Sequence, residues 1–265
     1  MTPQFSEQAK KHAPWSMSKA ELALNCGLAY NLKYVTKTKG VPSKDGGGHI
    51  GIAAHAVLES FLRNAAEPIK DIMYRIALDQ RLTTPEIDDL VSFAHNIAHF
   101  RDRLESYKIA NKVKEQKVEI KFGLTADFKQ TAFFGKDVFF RGVMDLLLDT
   151  EDGHIIILDH KSGNPPSSAV DALAQHRAQL KLYTLAALLL YPDLKGVQTG
   201  LHYLANEEIV WDTKLVLPSA IRDEVMPWYP EFLNEAGLAA ESATPKAGWK
   251  CKFCEFISQC PIKRT

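Results

Sequence analysis

The sequence predicts an α/β fold in which helices flank a central mixed sheet. Three observations support this class: helical patterns fill the first 110 residues, strand patterns begin at residue 117, and one long helical pattern separates the third strand from the fourth. The chain has 265 residues, of which 46% are hydrophobic, and it contains no long Pro/Gly/Ser linker. We therefore expect a single domain, 1–265, with a large core.

Helices dominate the predicted N-terminal part, 17–110. The first helix covers 17–36, takes Ser18 as its N-cap and carries Cys26 in its interior. A loop rich in glycine and lysine follows at 37–48. The other helices of this part are expected at 49–66, 68–80 and 85–108.

The predicted central part, 113–216, contains the sheet. The Thr-Glu-Asp-Gly turn at 150–153 predicts an antiparallel hairpin between the second and third strands. The C-terminal part, 217–265, is expected to hold a broken helix and a cysteine-rich tail. The strands are predicted at 117–124, 138–149, 154–161, 195–205 and 208–216, and a long helix at 168–192.

The charge balance gives little indication of a partner, because 32 basic residues offset 32 acidic ones. The longest apolar stretch is far below the roughly 20 residues that span a bilayer, and no apolar leader opens the chain, so we expect a cytoplasmic protein with no membrane partner. Two local runs are basic. They are ordinary solvated surface unless the chain ends meet, in which case they form a path for a DNA backbone. The runs comprise Lys33, Lys37, Lys39 and Lys44, and Lys246, Lys250, Lys252, Lys263 and Arg264.

Two acids interrupt the aliphatic strands of the predicted hairpin. Asp145 follows Gly-Val-Met, and Asp159 follows Ile-Ile-Ile-Leu with Lys161 two residues beyond it. Pairing about the 150–153 turn brings Asp145 close to Asp159, and Lys161 shares a face with Asp159. A buried carboxylate is costly unless it is paired or holds a metal, so the sequence predicts a Mg²⁺ or Mn²⁺ site suited to phosphodiester hydrolysis. The alternative is a structural ion pair between Asp145 and Lys161.

Polar residues on two otherwise apolar helices are further candidates. His55 lies in the stretch IAAHAVLESF, with Glu59 one turn later on the same face. A lone histidine there is more often a satisfied core residue than a ligand. Gln175, Gln179 and Tyr183 recur every fourth residue along the long helix. Such a stripe is more often a solvated face, but so soon after Asp159 and Lys161 it could contact DNA or hold the lysine.

The four cysteines form a one-plus-three pattern. Cys26 stands alone, whereas Cys251, Cys254 and Cys260 have the spacing C-x2-C-x5-C. Four thiolates complete either a zinc site or a 4Fe–4S cluster, and the solitary first ligand favours the cluster over the paired CxxC units of zinc sites. Such a tie closes a loop of more than two hundred residues and stabilises the fold by roughly 4–5 kcal/mol, by analogy with a disulfide.

Together these pieces resemble the RecB-type branch of the PD-(D/E)XK nuclease superfamily, including its iron–sulfur relatives among helicase–nucleases and CRISPR-adaptation exonucleases. The cysteine pattern matches as well, and the pieces appear in the expected order over residues 18–261. The matching segments are GIAAHAVLE around His55, GVMD ending at Asp145, DHKSG from Asp159, QLKLY from Gln179 to Tyr183, and the closing CKFCEFISQCP.

The resemblance implies a restriction-endonuclease-like fold and a metal-dependent DNA exonuclease. It assigns the metal to His55, Asp145, Asp159 and the backbone carbonyl of His160. Lys161 becomes the catalytic lysine, and Gln179 and Tyr183 position the lysine or the DNA. The implied substrate is single-stranded or frayed DNA in recombination, repair or phage DNA processing. The sequence has no Walker A motif, so any unwinding would come from a partner such as a helicase or recombination protein.

Two other functions remain open from the sequence. One is a DNA-binding or assembly module that keeps the nuclease fold without cleavage, although a retired site has no reason to keep all three of Asp145, Asp159 and Lys161. The other is an RNA-processing nuclease stabilised by zinc at the cysteines. Substrate comparison separates these functions.

Overall fold

The computed structural model describes residues 3–41, 48–64, 66–212 and 215–262, and only the backbone of Trp249. The chain divides into two compact units that alternate along the sequence. The first unit comprises Met1–Gly46, Lys121–Gly142 and Arg222–Thr265. The second unit comprises Gly47–Ile120 and Val143–Ile221. The single nuclease domain inferred from the sequence stays a prediction.

Short helices open the chain. These are α1 (Glu7–Lys11), α2 (Met17–Asn25), α3 (Gly27–Tyr30) and a π-helical turn at Asn31–Val35. Four helices follow: α4 (Gly48–Arg63), α5 (Ile69–Asp79), α6 (Thr84–Ser92) and α7 (Ala94–Ala110). Among the described residues, no helix combines the length and apolar character needed to cross a membrane.

A mixed sheet forms the centre of the fold, as the sequence predicted, and it has six strands where five were expected. The strands are β1 (Val113–Leu124), β2 (Gln130–Thr131), β3 (Phe140–Thr150), β4 (His154–Lys161), β5 (Gly196–Tyr203) and β6 (Glu208–Trp211). Their order is β2-β1-β3-β4-β5-β6. Strands β3 and β4 are antiparallel, whereas β4 and β5 are parallel and need the crossover helix α8 (Ala169–Leu190) between them.

The C-terminal part contains one long helix and two short 3₁₀ turns. The helical turns α9 (Pro218–Ala220) and Ile221–Val225 lead into α10 (Met226–Ser242). The 3₁₀ turns at Trp249–Phe253 and Ile257–Gln259 carry the cysteine-rich tail. The broken helix and the tail are thus both found as predicted.

Each unit has its own buried core. In the first unit, the rings of Trp15, Tyr30, Phe140 and Tyr229 are almost fully buried. In the second unit, aliphatic residues of β3 and β4 pack with α4, α5 and α7, among them Leu146, Leu148 and Ile156. Strand β4 is buried along its interior, which explains its continuous aliphatic run.

The predicted continuous helix at 17–36 is wrong, because it breaks at Cys26. The backbone of Cys26 is extended, with φ −163° and ψ 103°, so it ends α2 and caps α3. The N-cap of α2 is Ser16 rather than Ser18, and Ser16 Oγ accepts a hydrogen bond from the Lys19 amide at 3.3 Å. Cys26 Sγ accepts a hydrogen bond from the Ala29 amide at 3.5 Å and so caps α3, a role in which Ser, Thr, Asp or Asn is the usual sequence signal.

Three further elements differ from the prediction. The helix expected at 85–108 is two helices that meet at Phe93, and a capping box between Thr83 and Glu86 starts the first of them. Helix α1 and the two-residue strand β2 were not predicted, because elements this short leave almost no periodic pattern.

Candidate active site

The hairpin register brings the two strand acids together in the second unit. Leu146 pairs with Leu158, so the next pair outward is Asp145 with Asp159. Asp159 is only 2% exposed, and its Oδ2 atom accepts no hydrogen bond although it lies in an ion pair. Two carboxylates thus converge in a nearly dry part of the sheet.

Lys161 neutralises part of this charge. Its Nζ atom lies 2.6 Å from Asp159 Oδ2. The lysine also donates to Gln179 Oε1 at 3.0 Å. The ion pair therefore joins Lys161 to Asp159, not to Asp145 as the structural alternative from the sequence supposed.

Helix α8 supplies two side chains, Gln179 and Tyr183, that complete the hydrogen-bond network around Asp159. Gln179 Nε2 donates to Asp159 Oδ1 and to the Tyr183 hydroxyl, both at 2.8 Å. The Tyr183 hydroxyl lies 2.9 Å from Asp159 Oδ1 and 2.8 Å from the carbonyl oxygen of Val143, either of which can accept its proton. Gln179 thereby holds the acid and the lysine in one arrangement, so Gln179 and Tyr183 of the predicted polar stripe face the acids.

Asp145 is held by the neighbouring strand. The His160 amide donates to Asp145 Oδ2 at 2.7 Å. Burial raises the pKa of Asp145 well above its usual value, and the nearby charge of Asp159 raises it further. A cation between the acids would relieve this repulsion and favour the ionised form of Asp145.

His55 approaches the same acids from α4. Its Nδ1 atom lies 3.9 Å from Asp145 Oδ2. Burial lowers the pKa of His55, so the imidazole is neutral at pH 7 and offers a lone pair. Gly51, one turn earlier, lets α4 approach the loop after β4, because a Cβ atom there would lie only 2.6 Å from Ser162 Oγ.

A buried histidine pair behind the acids was not found from the sequence. His160 Nδ1 and His202 Nδ1 are 2.9 Å apart, and the ring of Phe100 stacks on His202 at a centroid distance of 3.8 Å. The parallel register of β4 and β5 places the two histidines side by side. The only indication in the sequence was a histidine within each of two aliphatic strands.

This histidine pair should make the protein sensitive to acid. Burial, with smaller effects from the charges of Arg103 and His55, lowers the pKa of His202 to about 3. In the unfolded chain, His202 takes up a proton below about pH 6.5, whereas in the folded chain it does so only below about pH 3. The free energy of unfolding therefore falls by about 1.4 kcal/mol for each pH unit between these two values. We expect His202→Gln to flatten the loss of unfolding free energy between pH 7 and pH 5, measured by urea denaturation. An unchanged slope would contradict this origin.

Two predicted supporting residues lie elsewhere. The carboxylate of Glu59 contacts Arg63 Nε at 3.0 Å. Gln175 is exposed, one turn before Gln179 on α8. The structure therefore gives neither residue a contact with the acid pair.

The four cysteines meet in the first unit. All four line one cavity of about 570 Å³. Burial raises the pKa of Cys254, and the other three thiols raise it further. Backbone amides point at the sulfurs: Ala29 N lies 3.5 Å from Cys26 Sγ, and Gly248 N lies 3.3 Å from Cys251 Sγ.

The chain ends also meet in the first unit. The Val41 amide donates to the Glu255 carbonyl at 2.8 Å, and Lys33 Nζ forms an ion pair with the Glu255 carboxylate at 2.7 Å. Lys246 donates to the Leu24 carbonyl at 3.4 Å. The two predicted basic runs thus come from segments in contact, although Glu255 offsets Lys33. Lys44, Lys263 and Arg264 lie outside the described residues.

Comparison with known proteins decides the family. A family model described as the PD-(D/E)XK nuclease superfamily matches residues 14–261. The chain belongs to the PD-(D/E)XK nuclease superfamily. It is therefore a nuclease, and its mixed sheet with flanking helices is the restriction-endonuclease-like arrangement expected of this superfamily.

Two solved structures show a distant likeness to this superfamily member. The protein SSO0001 is 16% identical, with a TM-score of 0.37, and the match covers 81% of this chain and 96% of that one. Protein VC1899 from Vibrio cholerae is 8% identical, with a TM-score of 0.28, and the match covers 92% of this chain and 59% of that one. No curated protein sequence matches the chain significantly.

The acid site of this PD-(D/E)XK nuclease suits a divalent metal in its chemistry. Nucleases of the superfamily generally use ions such as Mg²⁺ or Mn²⁺. The two carboxylates, where burial and mutual repulsion raise the pKa of Asp145, form with a neutral His55 a donor set for such an ion. Among the described residues, no group of three His, Cys, Asp or Glu side chains has the spacing needed to hold a metal ion. Asp159 Oδ2 is instead paired with Lys161 Nζ.

Proposed function

We propose that this nuclease is a divalent-metal-dependent DNA exonuclease that hydrolyses single-stranded or frayed ends. The single observation that supports it best is the hydrogen-bonded network of Asp159, Lys161, Gln179 and Tyr183, with Asp145 close enough to feel the charge of Asp159. An acid pair, a cation and their positioning groups occupy one buried site. A DNA-binding module would not need to bury so costly an arrangement.

His55, Asp145, Asp159 and the His160 carbonyl would hold the metal. When bound, such an ion supplies Lewis-acid activation of water and of the phosphate. The chain's own residues supply the rest. Lys161 places a positive charge where the phosphate gains negative charge, while Gln179 keeps the ammonium group from drifting away.

The hydrogen bonds of Tyr183 position the site, so Tyr183→Phe should reduce cleavage without abolishing it. The substitution removes the hydroxyl that accepts from Gln179 and contacts Asp159, and we expect a loss of roughly tenfold in kcat. Tyr191→Phe is the matched control, because it removes a hydroxyl contact with Lys117 at the end of the same helix. Single-turnover kinetics would measure both variants. A loss as large as that of Asp145→Ala would assign Tyr183 a direct chemical role.

The test of the function is a substrate panel. The protein would be incubated with Mg²⁺ or Mn²⁺ and with linear DNA labelled at either end, circular single-stranded DNA, duplex DNA and RNA. An exonuclease shortens linear single strands progressively and leaves circles intact. Cleavage of circles would make the enzyme an endonuclease, and preference for RNA would replace DNA as the substrate.

A partner would supply duplex opening. The substrate of a single-strand exonuclease must be exposed by another activity, so a helicase or recombination protein is the partner class we propose. Recombination, repair and phage DNA processing all generate such ends.

We also propose a 4Fe–4S cluster held by Cys26, Cys251, Cys254 and Cys260, with zinc as the alternative. All four thiols line one cavity, and the one-plus-three spacing of the cysteines favours a cluster over the paired CxxC units of zinc sites. Amide donors to the sulfurs support thiolate ligands in either case. All four cysteines lie in the first unit and the acids in the second, so the proposed role is structural.

Protein purified without oxygen should be brown, with iron and sulfide in near-equal amounts. Cys254→Ser should bleach the absorbance and lower the melting temperature, because it removes one ligand of the tie between the chain ends. Metal analysis and visible absorbance would measure the first effect, and calorimetry the second. Stoichiometric zinc without visible absorbance would replace the cluster with a zinc site.

A further inference from the structure

Two adjacent phenylalanines, of which Phe134 is exposed and Phe133 is partly buried, lie between β2 and β3 in the first unit. The Phe134 side chain is 78% exposed, which is unusual for a large apolar residue. It meets Phe133 edge to face, with ring centroids 4.8 Å apart and an interplanar angle of 89°. Hydrogen bonds at both sides fix the loop that carries them: Gly135 donates to the Ala132 carbonyl, and Thr131 donates to Asp137.

Cations surround this pair. The guanidinium carbon of Arg141 lies 5.2 Å from the ring centroids of both phenylalanines. Lys121 Nζ lies 6.0 Å from the centroid of Phe133. Residues 121–142 contain four basic and two acidic side chains, a net charge of +2 that the neutral whole chain conceals. One of the acids, Asp127, is already paired with Lys129 at 2.6 Å.

The positive charge extends from Arg141 toward α2. Burial, together with a smaller effect from the charge of Arg141, lowers the pKa of Lys19 to about 8. Lys19 Nζ in turn lies 5.3 Å from the ring centroid of Tyr34, which is 37% exposed. An anion bound near Arg141 would relieve its repulsion with Lys19.

We propose that Phe134 and Phe133, with Arg141 and Lys121, form a platform on which bases of single-stranded DNA stack. This inference rests on the proposed function and deepens it, since it names the surface that selects the substrate. An exposed ring offers a face to any unpaired base, and the adjacent cations neutralise the phosphates on either side. A duplex hides its base faces, so the platform favours single strands over duplex DNA.

The direct test is the affinity of Phe134→Ala for a fluorescently labelled oligothymidine. Both parent and variant would carry Asp159→Asn, so that DNA is bound and not cut. We expect the Kd of Phe134→Ala to rise roughly 5- to 100-fold, as for the loss of one stacked base, while the weaker Kd for duplex DNA stays unchanged. Phe134→Trp should retain the affinity. Tyr74→Ala is the matched control, because Tyr74 is an aromatic residue with 68% exposure on α5.

A fluorescent base analogue within the oligonucleotide gives a second readout. Its emission should fall on binding to the parent, because stacking quenches it, and should stay bright with Phe134→Ala at saturating protein. Unchanged single-strand affinity, or an equal loss for single strands and duplex together with a lower melting temperature, would overturn the platform. A shift from dimer to monomer in Phe134→Ala, with DNA binding intact, would assign the rings to a second copy and also overturn it. A parent that binds no DNA would overturn the proposed function itself.

Discussion

Asp159→Asn is expected to reduce DNA cleavage by roughly a thousandfold or more, the largest effect of any single substitution in this chain. The change removes a charge that would bind the metal and that fixes Lys161, while the amide keeps the shape of the side chain. Loss of metal-derived stabilisation of several kcal/mol corresponds to this factor. Single-turnover cleavage of a labelled single strand measures it.

The matched control for this substitution is Asp149→Asn. Asp149 lies on the same sheet, its side chain is 13% exposed, and it forms an ion pair with Lys114 at 3.2 Å. Like Asp159, Asp149 is largely buried and paired with a lysine, but it lies outside the network around Gln179. Equal losses of activity in the two variants would mean that the acids act through stability alone.

Lys161→Met is expected to lower kcat roughly 100- to 1,000-fold and to leave metal binding intact. The methionine keeps much of the volume but removes the positive charge beside Asp159, which we assign to stabilising the phosphate in the transition state. Calorimetric titration with Mn²⁺ separates binding from chemistry. Loss of Mn²⁺ binding together with activity would show that the lysine organises the metal site instead.

Lys114→Met controls for the loss of an ion pair in the sheet. It removes the ammonium partner of Asp149, just as Lys161→Met removes the ammonium partner of Asp159. We expect a modest drop in melting temperature and nearly full activity. A drop in melting temperature without loss of cleavage separates structural ion pairs from the catalytic one.

The hairpin was the most predictable part of this protein. A turn sequence fixes the pairing register, and the register fixes which residues face each other, so the approach of Asp145 to Asp159 followed from counting. The contact of Gln179 with Asp159 and Lys161 was less accessible. Its position on a long helix was clear, but only the crossover from β4 to β5 determines which face of that helix meets the sheet.

Features that depend on tertiary contacts were missed. Cys26 lines the same cavity as Cys251, Cys254 and Cys260, a placement that helix propensity does not report, and its extended backbone ends α2. The pairing of His160 with His202 depends on the register of a parallel strand pair, which no local turn specifies. Phe134 stands in a loop, where an apolar residue leaves no periodic pattern and its exposure is visible only in three dimensions.

The central claim is that the acid pair and Lys161 cut DNA with the help of a divalent ion. The most direct measurement is the cleavage of end-labelled single-stranded DNA by the metal-stripped protein before and after Mg²⁺ or Mn²⁺ is restored. We predict no products in the stripped protein and progressive shortening of the strand once either ion is added. DNA that is bound but stays intact with both ions would contradict the claim and would identify a binding module that keeps the nuclease fold.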